Sequence, residues 1–502
     1  VSGGAVVADP VITRTTTKRL RTGKSPFDAY AGLVEVFGRG SVFLLESPGG
    51  PVDHRRHAFI GVNPMVGVRV TQDRVEWTGN PSLAAKFAEH STARGVVRTA
   101  ERRTRLVATA QVWALLRSIR DRVNHGSGDS GGLRLGLFGY LGYDIGGAVE
   151  RLSRTIPSHD DTPDLDLSIY EVVIQYDLLV GEATISRHET GSAPGVDWDQ
   201  VENALVGPVR ATAGEPLSPV VGVTGSTGRR DYLLAAERAL EYIRAGEVYQ
   251  LQLGQELRAE TRTPPWVVYQ RLRERNPSPY AYIAPFGSRT AIGASPELMM
   301  SIEDRRVTMK PIAGTSARSA DPELNRLRID GMRSSAKEVA EHLMLVDLCR
   351  NDIGRIAEER SLRTVDLMSV EEYSHVNHLV STVEGVLRPG EDEFDALGAA
   401  FPAGTMTGAP KIRAMQIIEE LETRRRGIYA GAIGLIGFSG DVKLALCIRG
   451  AMHHDRTYTY RASAGVVADS DPQREWEETF HKLAAVNWAI SGEEFDNARI
   501  AR

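Results

Sequence analysis

Only two cysteines occur among 502 residues, Cys349 and Cys447, each set among apolar neighbours. That scarcity excludes a disulfide framework and a thiolate metal centre, and both thiols read as buried and reduced in a cytoplasmic protein. No run of 18 apolar residues occurs, so no membrane-spanning helix is expected. The N-terminal stretch VSGGAVVADPVITRTTTKRL lacks the continuous apolar core of a secretory leader. Positive charge is not in excess: 60 Lys and Arg stand against 65 Asp and Glu, a formal net charge of −5. Nothing in bulk composition therefore points to nucleic acid, whose binders carry a basic face or tail. A small anionic ligand needs only a local positive pocket, which this balance allows. There is no repeat of 20–50 residues and no low-complexity tract.

What is present is ordinary in amount and informative in order. At 42% hydrophobic and 25% charged residues the chain has the make-up of a soluble globular protein, long enough for one large domain or two to three smaller ones. SVFLLESPGG (41–50), HAFIGV (57–62), LRLGLFGYLGYDI (133–145) and SIYEVVIQYDLLV (168–180) read as strands bounded by Gly, Pro and Asp. VWALLRSIRDRV (112–123) reads as a helix; 153–165 and 187–220 read as loops. A boundary near 222 divides an N-terminal α+β region, 1–222, with a candidate regulatory site, from 223–502. The second region opens with a helix capped by Ser226 or Thr227 and ended by Gly246, then a strand at 248–257. Mixed strands and helices of this kind predict an α+β fold rather than a βαβ array.

Two helices carry the strongest chemical pattern. SSAKEVAEHLMLVDLCRNDIGR (334–355) holds Glu338 and Glu341 at i, i+3; PQREWEETFHKLAAVNWAI (472–490) repeats that spacing with Glu475 and Glu478, then Lys482. Side chains so spaced share a helix face. Facing each other, the two helices would offer four carboxylates to a hard cation. Each helix alone reads more readily as a solvated face. Three glycine-containing turns follow: KPIAGTSAR (310–318) with Gly314 and Thr315, FPAGTMTGAPKIRAM (401–415) with Thr405 and Lys411, and RASAGVVADS (461–470) around Ala464 and Gly465. Glycine lets backbone N–H groups approach an anion closely. None of them carries the GxGxxG or GxxxxGK[ST] nucleotide signature, and each alone is also an ordinary tight turn.

Taken in order, SPEL (295–298), PIAGT (311–315), AEHLMLVDLCRND (340–352), YSHVNHLVS (373–381), FPAGTMTGAPKIRAM, RRGIYAGAIG (425–434) and GVVADSDP (465–472) resemble the chorismate-utilising enzymes across 225–490. FLLES (43–47), FIGVNP (59–64) and GYLGYD (139–144) extend the resemblance more loosely. It implies an α+β fold built as a large two-sheet antiparallel sandwich flanked by helices. It also implies Mg²⁺ on Glu341 and Glu478, supported by Glu338 and Glu475, to neutralise and orient the ring carboxylate of chorismate. By the same resemblance Tyr429 and Arg449 hold the enolpyruvyl carboxylate. Backbone around Ala464 and Gly465, Lys482, Gly314 and Thr315 completes substrate binding. Glu297 is the implied general acid, and His378, Thr405 and Gln250 are the other implied catalytic residues.

Within that family, water-using members carry a lysine where Gln250 stands, which implies ammonia as nucleophile. Ala313 replaces the lysine nucleophile of para-aminating members, which implies attack beside the ring carboxylate. The leading expectation is amination there, then pyruvate loss to anthranilate. The alternatives are arrest at 2-amino-2-deoxyisochorismate, formation of 4-amino-4-deoxychorismate, and a non-catalytic ligand-binding relative. Ser463 stands where the family has glycine. Leu45, Glu46, Ser47, Pro279 and Tyr280 match the family's tryptophan effector site, but Ala281 replaces a methionine there, which argues against tryptophan feedback. Neither cysteine lies in a glutaminase nucleophile turn, so ammonia is expected from a separate glutamine amidotransferase subunit, with homo- or hetero-oligomeric assembly left open.

Overall fold

Strands form where apolar residues alternate or run together. They span Val42–Glu46, His57–Thr71, Gly136–Leu141 and Leu165–Asp177, and a helix spans Val112–Arg120. The computed structural model describes residues 11–51, 56–100, 103–123, 132–150, 152–158, 161–191, 195–208, 216–373 and 376–495. Half of the N-terminal stretch read above, Ser374 and His375 of YSHVNHLVS, and parts of both expected loops (159–160, 192–194, 209–215) lie outside the described residues. Among the described residues no helix is long and apolar enough to cross a membrane.

Three expectations are corrected. The stretch 187–220 holds a helix, Trp198–Val206, capped by the Asp197 side chain and buried through Val201, Ala204 and Leu205. Two and a half turns are too short for a 3.6-residue period to stand out. The next helix begins at Arg229 after Gly228, without a side-chain cap, because Ser226 Oγ instead accepts the Glu256 N–H at 3.0 Å. Its end is as expected, with Gly246 at φ 77°. The stretch 461–470 is no turn through Ala464 and Gly465: Thr457–Val467 is a strand paired along its whole length with Gln250–Glu260. The reason is its period of two, with Tyr458, Tyr460, Ala462, Ala464 and Val466 all buried on one face.

The two-sheet expectation also gives way. The described ladders are all antiparallel and join into a single hydrogen-bonded sheet. His57–Thr71 and Leu165–Asp177, 15 and 13 residues long, pair together and shift register between Pro64 and Val66. One end of this pair leads through Val42–Glu46, Tyr280–Phe286, Arg289–Ser295 and Gly450–His454 to Thr457–Val467 and Gln250–Glu260. The other leads through Gly136–Leu141, Ala432–Gly437, Val442–Leu446 and Leu298–Glu303 to Val376–Val386. The sheet thus has two arms joined by two long strands, and strands of 1–222 and 223–502 interleave in both.

The arms face each other across an aromatic core. Phe43 of one arm stacks on Phe138 of the other with centroids 3.5 Å apart, and Tyr140 meets Phe286 edge-on at 4.8 Å. A Cβ on Gly61 would lie 2.0 Å from Phe43 Cε1, so this glycine leaves the space in which the ring lies. Helices cover the outer faces, including Ala336–Gly354 on one arm and Pro472–Ser491 on the other. Phe43 is fully buried, so Phe43→Ala is expected to cost about 3–5 kcal/mol. Urea unfolding followed by fluorescence would measure it; a loss below about 1 kcal/mol would mean that the arms do not depend on this contact.

Candidate active site

The chain changes arms at two adjacent places. Between Arg289–Ser295 and Leu298–Glu303 it passes through Glu297; between Val442–Leu446 and Gly450–His454 it passes through Arg449. The crossings are tied together, since Leu446 N–H donates to the Glu297 carbonyl and Ala294 N–H to the Arg449 carbonyl, both at 3.1 Å. Two candidate site residues from distant sequence are therefore brought to one end of the cleft between the arms. Arg449 has φ 53°, a left-handed conformation that costs a non-glycine residue energy.

A cavity of about 600 Å³ opens there. It is lined by Gln250, Glu297, Gly314, Thr315, Glu338, Glu341, His378, Thr405, Tyr429, Arg449, Gly465, Glu475, Glu478 and Lys482, so fourteen of the fifteen residues assigned to catalysis, substrate and metal meet in one place. Ala464 is the exception: it is fully buried and strand alternation turns it the other way, while Ser463 and Gly465 face the cavity. Lys411 does not reach it. That lysine donates to Asp352 Oδ2 (2.7 Å) and the Ala400 carbonyl (2.9 Å), so its charge is already matched by a buried carboxylate.

Burial pushes the Glu297 carboxyl up to about 8, with the nearby Thr405 hydroxyl opposing the shift. A carboxyl so placed holds its proton at neutral pH, which a general acid requires. His378 is pushed down to about 4 by burial, against the pull of the Gly314 carbonyl and helped by the Arg449 charge. Its Nδ1 lies 3.0 Å from Thr315 Oγ1 and 3.3 Å from the Gly314 carbonyl; donation from Nδ1 to either oxygen leaves Nε2 as a neutral base. The stretch 310–318 is not the expected turn but mostly a strand, Ile312–Ala317, whose register places Thr315 opposite His378 across a bulge at Gly314 with φ 83°. Gln250 Oε1 is buried and makes no hydrogen bond among the described residues, leaving polar capacity for a ligand.

The four glutamates face one another from two helices and are half-buried. Burial raises Glu341, with Lys337 opposing and the Glu338 and Glu475 charges adding; burial also raises Glu475, against a Ser470 hydroxyl that donates to it at 2.7 Å. Lys337 lies 3.9 Å from Glu341 and Lys482 3.5 Å from Glu478. The all-oxygen donor set suits a hard divalent cation. Among the described residues no three such side chains converge to ion-holding distance, in keeping with mutual repulsion of like charges.

Beneath the cavity lies an ion cluster that the sequence reading missed. Glu422 accepts from Arg426 Nη2 (2.7 Å), Arg461 Nη2 (2.9 Å) and the Gly254 N–H (3.0 Å), all three of these side chains being buried. Arg426 also donates to the Met406 and Gln252 carbonyls, binding the Thr405 turn to the Gln250 strand. Removing one partner of such a buried set typically costs about 3–5 kcal/mol, because the charge left behind is unpaired. Gln252 and Lys337 were missed as well. Strand alternation from Gln250 and the i, i+4 step to Glu341 were the available signals.

Leu45, Glu46, Ser47, Pro279 and Tyr280 do meet, in a separate pocket of about 40 Å³ that His57 and Lys443 also line. Glu46 there is held by Tyr269 (2.7 Å) and Arg273 (2.6 Å).

Residues 68–487 match the family described as chorismate binding enzyme. The chain belongs to that family. As a chorismate-binding enzyme it is 44% identical to 2-amino-4-deoxychorismate synthase of Streptomyces globisporus, over 97% of this chain and 99% of the relative. It is 40% identical to anthranilate synthase component 1 of Cereibacter sphaeroides, over 70% and 73% of the two chains. The crystal structure of anthranilate synthase component I from Streptococcus pneumoniae TIGR4 superposes with a TM-score of 0.70 at 30% identity, covering 86% of this chain and 92% of that one. This chorismate-binding chain is thus an enzyme of the anthranilate synthase component I type, with the mixed α+β fold and large antiparallel sheet described above.

Proposed function

We propose that this enzyme aminates chorismate at C2, the ring carbon beside the carboxylate, and releases 2-amino-4-deoxychorismate with its enolpyruvyl group intact. That compound is the 2-amino-2-deoxyisochorismate of the sequence reading under another name: amino group on C2, hydroxyl lost from C4. The observation that carries this reading is the end-to-end match at 44% identity to a synthase of that product, above the shorter 40% match to the anthranilate synthase of C. sphaeroides. It displaces the leading expectation of anthranilate.

Ammonia forms the C2–N bond as the ring double bonds shift and the C4–O bond breaks. Glu297 gives its proton to the departing hydroxyl, which leaves as water, and the new ammonium group loses a proton. Gln250 cannot deprotonate water, but its unpartnered Oε1 can accept an ammonia N–H. Mg²⁺, held by Glu341 and Glu478 with Glu338 and Glu475 in support, would supply the charge that neutralises and orients the ring carboxylate. Arg449, Tyr429 and Lys482 would hold the enolpyruvyl carboxylate. Both thiols are buried and pushed well up by that burial, so neither is a glutaminase nucleophile. A separate glutamine amidotransferase would deliver the ammonia. The small pocket beside Ser47 is the candidate effector site.

Anthranilate remains the second reading, because His378 is a neutral base of the kind pyruvate loss needs. Incubation with chorismate, Mg²⁺ and ammonium, read by mass spectrometry, separates the two. The expected product keeps the enolpyruvyl carbons; anthranilate and pyruvate in equal amounts would overturn the proposal.

A further inference from the structure

If the base for pyruvate loss is present, retention of the enolpyruvyl group must come from how the product is held. Strand alternation puts Gln250, Gln252 and Gly254 on the cavity side of one strand, and Ser463 and Gly465 on that of its neighbour. Register sets Gln252 opposite Gly465 and Gly254 opposite Ser463. A Cβ on Gly254 would be 2.3 Å from Ser463 Oγ, and one on Gly465 would be 3.1 Å from Gln252 Nε2 and 2.7 Å from Gln250 Nε2, so polar side chains lie over both glycines. Ser463 is 2% exposed, accepts the Tyr429 hydroxyl at 2.9 Å, and its carbonyl accepts Lys482 Nζ at 2.9 Å. A hydroxyl has one proton and two lone pairs, so Ser463 can accept from Tyr429 and still donate to a ligand. It sits between two groups proposed above to hold the enolpyruvyl carboxylate.

We propose that Ser463 is a positioning residue that keeps the enolpyruvyl group on the product, an inference resting on the 2-amino-4-deoxychorismate reading. Pyruvate loss removes the C2 proton to a base. The C2–H electron pair becomes the ring double bond that completes aromaticity, and the C3–O bond breaks. Its electron pair leaves with enolpyruvate, which takes up a proton to give pyruvate. The C2–H and C3–O bonds must align for this, with C2–H turned to the base. Donation from Ser463, beside Tyr429 and Lys482, pins the enolpyruvyl carboxylate and holds the ring out of that alignment.

The test is the ratio of anthranilate to 2-amino-4-deoxychorismate formed per chorismate consumed, with Mg²⁺ and ammonium, whatever the total rate. Ser463→Gly and Ser463→Ala are expected to raise that ratio at least tenfold, while Ser463→Thr, which keeps the hydroxyl, stays within threefold of wild type. Should the glycine variant melt at assay temperature, the alanine variant decides. A ratio within twofold of wild type in the alanine variant, with wild type retaining the enolpyruvyl group, overturns the Ser463 assignment alone. Wild type yielding mainly anthranilate overturns the parent reading and this inference with it.

Discussion

Glu297→Gln is expected to lower kcat by about 10²–10⁴-fold with little change in KM, the usual contribution of a positioned general acid. The amide is nearly isosteric with the protonated carboxyl, so the crossing between the arms should keep its shape. What disappears is a proton that can be given to the leaving hydroxyl. Because burial sets the carboxyl at about 8, wild-type turnover should hold from neutral pH to that point and fall as pH rises through it, when the acid is lost. The variant's residual rate should lack that limb. Stability follows the same linkage. The folded state binds this proton more tightly than the unfolded chain, whose carboxyl titrates near 4.5. The stabilisation is therefore complete below about 4.5 and is lost as pH rises towards 8. Thermal unfolding of wild type and variant across that window should converge in the variant's favour as pH rises. Turnover in the variant above a tenth of wild type would remove Glu297 from the acid role.

Glu341→Gln is expected to lower Mg²⁺-dependent kcat/KM on the order of 10³-fold, since charge stabilisation by a metal is worth several kcal/mol. Glu341 lies between the Glu338 and Glu475 charges, with Lys337 and Lys482 nearby. Losing its charge tips this set towards the lysines and away from a cation. The helix itself does not depend on it: Ser335 caps the start, and Val346, Cys349 and Ile353 anchor it in the core. Far-ultraviolet circular dichroism should be unchanged, while Mn²⁺ binding, followed by electron paramagnetic resonance without substrate, should weaken at least tenfold. Unaltered Mn²⁺ affinity would place the metal elsewhere.

The strands and the two glutamate helices are legible from period alone, because alternation and the i, i+3 step are local properties. The Trp198–Val206 helix is too short to announce itself, and around Ala464–Gly465 glycine and serine imitate a turn and mask the tyrosine alternation of a strand. Lys411 shows a different limit. Its loop chemistry pointed to an anion, but its partner, Asp352, lies 59 residues away. No local pattern reports who neutralises a charge.

Motif order by itself determined the family, named the candidate site residues, and left no cysteine in a glutaminase nucleophile turn among these 502 residues. Tertiary structure decided what those groups can do. Burial turned Glu297 into an acid and His378 into a neutral base, and burial is a property of everything packed around a residue. Folding one sheet into two arms brought the Glu297 and Arg449 crossings together; strand register set Ser463 over Gly254, and the Tyr429 hydroxyl reaches it from a separate loop. Sequence specifies a residue's chemistry and its immediate backbone. Its pKa, its partner and the ligand atom within its reach depend on chain segments far away, which only the folded arrangement supplies.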